Sequence, residues 1–332
     1  MNGEPDDGEF AEMAPAPRLP SASRVGTTPH EKVRAGPNGT LADAIVESHA
    51  TTTALHERFL HNQADFHDTL CRWLERPRAR PPITERILDP AALPWLADHC
   101  PDGRVPVLPG TAIADLMAGA AAARTGCAVT GLRAVTFRDR ITVAEPVGLR
   151  TEVGGQQREP FVTLSVRRAS RYTPVATGYV LFDAHLRPVR FAPLADARPA
   201  PDPYTAGTLF HGPCMRYLES VRANALGASG ALDCGRGNVP PGTLHHGLLD
   251  AAMHTIAALP AAGNGFLFPY RMDSLALFEE LPTTGIVEVE ARAAGLHDQL
   301  DLPVFDLQLC CGPTVLAALR MVFTGAGPRG RE

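Results

Sequence analysis

The chain has 332 residues, of which 45% are hydrophobic and 20% charged, the proportions of a globular protein that buries a core. A net charge of -5 argues against nucleic-acid binding through a basic surface; Lys32 is the sole lysine, so nearly all the basic residues are arginine. Seven scattered cysteines fit neither a disulfide framework nor zinc-ribbon spacing, and no run approaches the roughly 18 apolar residues of a membrane span. These features predict a cytoplasmic chain with reduced thiols and no membrane or nucleic-acid partner.

Residues 1–40 are rich in Pro, Gly, Ala and charge without hydrophobic period, which predicts a disordered leader. Its acidic start lacks the apolar stretch of a secretory signal. Residues 41–82 read as a helical extension and linker. Leu55, Phe59, Phe66, Leu70 and Trp73 fall on one stripe of a helix over 41–75, stopped by the Pro and Arg-rich run 76–82. Such a helix either packs on its own domain or docks a partner.

The next unit, 83–190, is built around Asp98-His99-Cys100-Pro101-Asp102-Gly103 and the helical run Thr111 to Thr125. Thr111 is placed as N-cap and Gly126 as the stop, with Ile113, Leu116, Met117 and Ala120 on one face. Strands are predicted within 129–143, 161–166 and 175–182. Segment 186–206 carries five prolines, and 191–206 is taken as a linker. The last unit, 207–332, opens at Gly212-Pro213 with strand-like residues after it. A helix over 247–259 and strands at 271–278, 286–293, 304–310 and 315–323 follow. Each half is thus one apolar helix followed by antiparallel strands. A curved sheet wrapped on a central helix, occurring twice, would bury that pattern.

His99 precedes a Gly and Pro-rich turn and a helix start, so a base lies beside N–H donors suited to a polarised carbonyl oxygen. Alone, such a histidine is more often structural. In the second helix, Asp250 and His254 are four residues apart and share a face. A carboxyl in an apolar helix is costly unless paired or functional. Burial would keep it protonated, as a general acid requires, although a solvated Asp–His pair explains this helix equally well.

Together the two stretches resemble the dehydratase domains of modular polyketide synthases and related fatty-acid synthases. His99, Gly103 and Pro109-Gly110 match that family's first motif, preceded by Pro94-Trp95-Leu96-Ala97-Asp98. Asp250 and His254 match the second, and Phe210-His211-Gly212-Pro213 resembles the third. The resemblance covers about residues 85–325. The chain departs from the pattern in several places. Five residues, not four, separate Gly103 from Pro109, and His211 stands where the family has tyrosine. Met215, Arg216 and Gly247 are further departures.

The resemblance implies an α+β double hotdog with an N-terminal helical extension. It also implies a hydro-lyase that eliminates water from a 3-hydroxyacyl thioester on an acyl carrier protein, in polyketide or fatty-acid biosynthesis. His99 would take the α-proton and protonated Asp250 would donate to the leaving hydroxyl, oriented by His254. The N–H groups near Gly103 and the helix start would stabilise the carbonyl oxygen, and His211 would line the tunnel, with Gly212 and Pro213 beside it. No metal or organic cofactor is implied; the substrate rides on the carrier's phosphopantetheine arm, and a homodimer is left open as a second partner.

Alternatives are a metal held by His246, Asp250 and His254, a Cys100–His99 nucleophile, and a non-catalytic carrier-binding hotdog module. The same dyad also suits a double-bond isomerase or a pyran-forming cyclase. The terminal sequences suggest a free-standing enzyme acting in trans, with the 41–75 helix as its dock.

Overall fold

A computed structural model describes residues 49–61, 63, 67, 83–183, 188–259 and 267–325. The predicted leader, Phe66, Leu70, Trp73 and the 76–82 linker lie outside the described residues. Residues 49–61 are helical, as the stripe predicts, and Leu55 and Phe59 are exposed.

From residue 83 the chain forms one antiparallel sheet. Its first half contributes β1 (Ile83–Leu88), β2 (Val129–Phe137), β3 (Val147–Gln156), β4 (Glu159–Arg168) and β5 (Arg171–Phe182). Its second contributes β6 (Arg198–Pro199), β7 (Leu218–Ala223), β8 (Gly227–Asp233), β9 (Leu267–Leu277), β10 (Ile286–Leu296), β11 (Pro303–Cys311) and β12 (Thr314–Gly325). Helix α1 (Gly110–Thr125) lies between β1 and β2, and α2 (His246–His254) between β8 and β9.

The strand order is β1-β3-β4-β5-β2-β9-β12-β11-β10-β8-β7-β6. Read outward from the β2–β9 seam, one half runs β2-β5-β4-β3-β1 and the other β9-β12-β11-β10-β8. The connectivity is the same in both, each with its helix between the outermost of these strands and the seam strand. The duplication absent from the letters of the sequence is therefore present in the topology, and the fold is a double hotdog. At the seam, Leu132 faces Leu275 and Val135 faces Met272, all four fully buried.

Helix α1 forms because its sequence is rich in alanine, the strongest helix former. Ala114, Met117, Ala118 and Ala121 are fully buried, so small side chains let the sheet wrap the helix closely. It stops at Gly126, whose φ of 69° is left-handed and whose N–H bonds to the Ala122 carbonyl at 2.8 Å. Thr111 is not the N-cap: Pro109 holds that position without a side-chain cap, and Thr111 sits inside the first turn. Helix α2 is capped by His245, whose ring Nδ1 accepts the Leu248 N–H at 3.3 Å. It ends at His254 and tightens to a 3-10 turn over Thr255–Ala258, so the predicted 247–259 helix is two pieces. Among the described residues no helix is long and apolar enough to cross a membrane.

Four strands went unforeseen, β1, β3, β6 and β8. In β3, Leu149, Thr151 and Val153 alternate inward as a strand requires, but glycines and charged residues obscure the period in the sequence. In β1 only Leu88 is buried; its Glu85 pairs with Arg150 of β3 at 2.6 Å.

Candidate active site

His99 follows a 3-10 turn, Pro94–Asp98, anchored by buried Trp95 and Leu96. Its backbone N–H bonds to the Leu96 carbonyl at 3.0 Å. Val107 then clamps it twice: the Val107 N–H donates to the His99 carbonyl at 2.9 Å, and His99 Nδ1 lies 2.6 Å from the Val107 carbonyl. A carbonyl only accepts, so Nδ1 carries the hydrogen and Nε2 is left as a bare base. Burial lowers the pKa of His99 to about 4, although the nearby Asp250 charge works the other way. The ring is therefore neutral near pH 7.

Asp250 comes from α2 in the second half and is buried, 4% exposed. Its Oδ1 accepts from the Thr111 hydroxyl of α1 at 3.4 Å. Its Oδ2 lies 3.2 Å from His254 Nε2 and 3.5 Å from His211 Nε2. Both contacts are out of line for a full hydrogen bond in this rotamer; Oδ2 and His254 Nε2 have no aligned partner. Asp χ2 is broad enough for a small rotation to correct this. Behind His254, the Tyr204 hydroxyl sits 2.8 Å from Nδ1. Burial raises the Tyr204 pKa, so the hydroxyl keeps its proton and donates it to Nδ1. That leaves the His254 hydrogen on Nε2, facing the carboxyl.

The predicted protonation of Asp250 does not hold. Burial does push its pKa up, but the His211 and His254 imidazoles outweigh that and hold the carboxyl well below the usual range. Asp250 rests as a carboxylate.

His99, His211, Asp250 and His254 all border one cavity of about 420 Å³, whose apolar wall includes Phe137, Ile256 and Phe268. Gly110, the first residue of α1, lines it too, where N–H groups of the first turn lack intrahelical acceptors. Gly103 does not serve as expected: its N–H closes a turn onto the Cys100 carbonyl at 2.9 Å. Pro109 caps α1 and accepts the Ile113 N–H at 3.0 Å, while Pro213 starts the 3-10 turn Pro213–Met215.

Three residues that sequence reasoning missed hold the site together: Thr111, Tyr204 and Asp98. The Asp98 carboxylate accepts the Cys214 N–H at 2.6 Å and its carbonyl accepts the Gly212 N–H at 2.8 Å, tying the His99 loop to the Gly212-Pro213 turn. Gly212 is required at this crossing, since a Cβ there would lie 2.2 Å from Asp98 Oδ1.

Two of the alternatives raised by the sequence lose ground on geometry. His246 packs against Trp95 at 5.2 Å and is not in the group formed by His99, His211 and Asp250. Cys100 donates to the Ala97 carbonyl, and burial with Asp102 and Asp98 pushes its thiol pKa up, away from a nucleophilic thiolate.

Residues 67–167 match the family model described as polyketide synthase dehydratase domain. The spectinabilin polyketide synthase system protein NorA' of Streptomyces orinoci is 32% identical over 185 residues. Over these residues the chain is similar to polyketide synthase dehydratase domains. That match covers 50% of this chain but only 5% of the much longer NorA'. Among solved structures, the dehydratase domain of PpsC from Mycobacterium tuberculosis superposes with a TM-score of 0.62 at 22% identity, covering 74% of this chain and 93% of that one. The dehydratase domain from the CurJ module of curacin polyketide synthase gives 0.61 at 17% identity, covering 76% and 95%. At those identities the likeness is one of fold.

Proposed function

We propose that this chain eliminates water from a 3-hydroxyacyl thioester carried by an acyl carrier protein, giving the 2,3-enoyl thioester. The observation that carries the reading is the meeting of a bare imidazole nitrogen, from one half of the sheet, with a buried carboxylate from the other, across one apolar cavity. A relative with this fold, PpsC, has been solved with C12:1-CoA, itself an acyl thioester.

His99 Nε2 removes the α-proton as a neutral base. The thioester oxygen, gaining negative charge, lies against the N-terminal turn of α1 at Gly110. The Asp250 carboxylate receives the β-hydroxyl as a hydrogen-bond acceptor. Before the C–O bond breaks, Asp250 takes up one proton from solvent, and the departing oxygen takes that proton and leaves as water. Asp250 is then the acid, and the His254 Nε2 facing its carboxyl orients it. The proton on His99 then returns to solvent, closing the cycle without a cofactor. Tyr204 acts through His254, fixing which ring nitrogen faces Asp250.

The test is incubation with carrier-bound 3-hydroxyacyl substrates of several chain lengths and both hydroxyl configurations, read by intact mass. Loss of one water from at least one substrate is expected. Retention of water by every substrate would refute the proposal, and an isomerised or cyclised product would replace it with the corresponding reading.

A further inference from the structure

We propose that His99, His211 and Asp250 form a site for a divalent first-row transition ion of the zinc class, and that the ion, when bound, shuts the cavity's chemistry off. One ligating atom from each of the three residues lies within 4.8 Å of the other two, and all three side chains are buried. Two imidazoles and one carboxylate are a donor set such ions favour.

One imidazole is already in the ligating state. His99 offers a bare Nε2, because its Nδ1–H is committed to the Val107 carbonyl. That backbone contact is the kind of outer support found behind metal-bound histidines. His211 Nε2 and Asp250 Oδ2 are 3.5 Å apart, close to the roughly 3.4 Å edge of a tetrahedron with metal–ligand distances of about 2.0–2.1 Å. Asp250 Oδ2 is buried without an aligned hydrogen-bond partner, an expensive state for a carboxylate oxygen that a cation would relieve. His99 must close in on the other two by a side-chain shift. The remaining coordination position faces the 420 Å³ cavity, leaving room for water or a ligand oxygen.

A bound ion would occupy the lone pair of the base and the carboxylate together, so metal and productive substrate exclude one another. This inhibition rests on the function proposed above; metal binding does not. The experiment is titration of the chelator-treated full chain with Co²⁺, read by visible absorption, followed by displacement with Zn²⁺ measured calorimetrically. One ion per chain is expected, with d–d bands of a low-coordinate N/O site that Zn²⁺ abolishes. His211→Gln and Asp250→Asn should each weaken binding by more than about 100-fold, the upper range for losing mere outer-shell support, with thermal melts confirming that each variant is folded. If His211→Gln does not fold, Asp250→Asn alone decides. The proposal is overturned by the absence of saturable binding, by binding that the folded variants leave unchanged, or by thiolate charge-transfer bands showing that cysteines hold the ion. In parallel, Zn²⁺ should abolish dehydration by the wild type. Site-specific binding to a chain that dehydrates no substrate would uphold the metal site and count against the dehydratase reading instead.

Discussion

Replacing Tyr204 by Phe removes one oxygen from a buried position and leaves the ring in place. The hydroxyl is 2.8 Å from His254 Nδ1, and His254 Nε2 is 3.2 Å from Asp250 Oδ2, so the deletion acts two residues away from the reacting atoms. One neutral hydrogen bond is worth about 0.5–1.5 kcal/mol net, and a buried acceptor left bare costs about 1–3 kcal/mol. Set against a typical stability of about 5–15 kcal/mol, the variant stays folded. Its catalytic effect is separate. Without the hydroxyl, the His254 hydrogen is free to sit on either nitrogen, and His254 Nε2 holds Asp250 in the productive orientation less often. A fall in kcat of roughly 10-fold, equivalent to about 1.4 kcal/mol, is expected, with KM little changed. The assay is the initial rate of water loss from a carrier-bound substrate across a pH range, beside a thermal melt and the imidazole nitrogen shifts of His254. A variant with lower Tm but unchanged kcat, pH profile and nitrogen shifts would refute the relay and leave Tyr204 a packing residue.

Other consequences follow from the same geometry. Gly212→Ala forces a methyl into the space of Asp98 Oδ1, 2.2 Å from the new carbon, and should cost about 1–3 kcal/mol in denaturant unfolding and slow turnover by moving the turn that carries His211. Asp98→Ala leaves the Cys214 N–H without its acceptor and should lose about 1–3 kcal/mol, seen as a lower urea midpoint. The folded-state pKa of His99 is lowered from 6.5 to about 4. The unfolded chain therefore binds this proton first: the stabilisation is complete above about 6.5 and lost as pH falls to about 4, roughly 3 kcal/mol for His99 alone. The pH dependence of urea unfolding should flatten in His99→Gln, and an unchanged slope would contradict the buried neutral imidazole.

The fold was largely legible because its signals are local. Alternation marks β4, β5, β10, β11 and β12, and an alanine-rich run closed by glycine marks α1. Strands β1 and β3 were hidden because their stability comes from each other: ladder pairing and the Glu85–Arg150 pair across 65 residues leave no strong period in either segment. The site was legible where it depends on motif spacing, as with His99, His211, Asp250 and His254. It was illegible where it depends on distant contacts. Tyr204 lies in a proline-rich stretch 50 residues from His254, and Asp98 reaches Cys214 across 116. The charge state of Asp250 was misjudged for a related reason. Its helix supplies only His254, and the second imidazole, His211, arrives from another part of the chain. Gly103 was misplaced because its N–H closes a local turn onto the Cys100 carbonyl, a contact the motif spacing does not show.

The central claim is that His99 and Asp250, one from each half of the sheet, act together on a 3-hydroxyacyl thioester. The most direct measurement is a side-by-side rate of water loss from one carrier-bound substrate for the wild type, His99→Ala and Asp250→Asn, with folding of each checked by circular dichroism. Each substitution should slow the reaction by about 10²–10⁴-fold, the usual worth of a positioned acid or base. Water loss at equal rates from all three proteins would place the chemistry elsewhere.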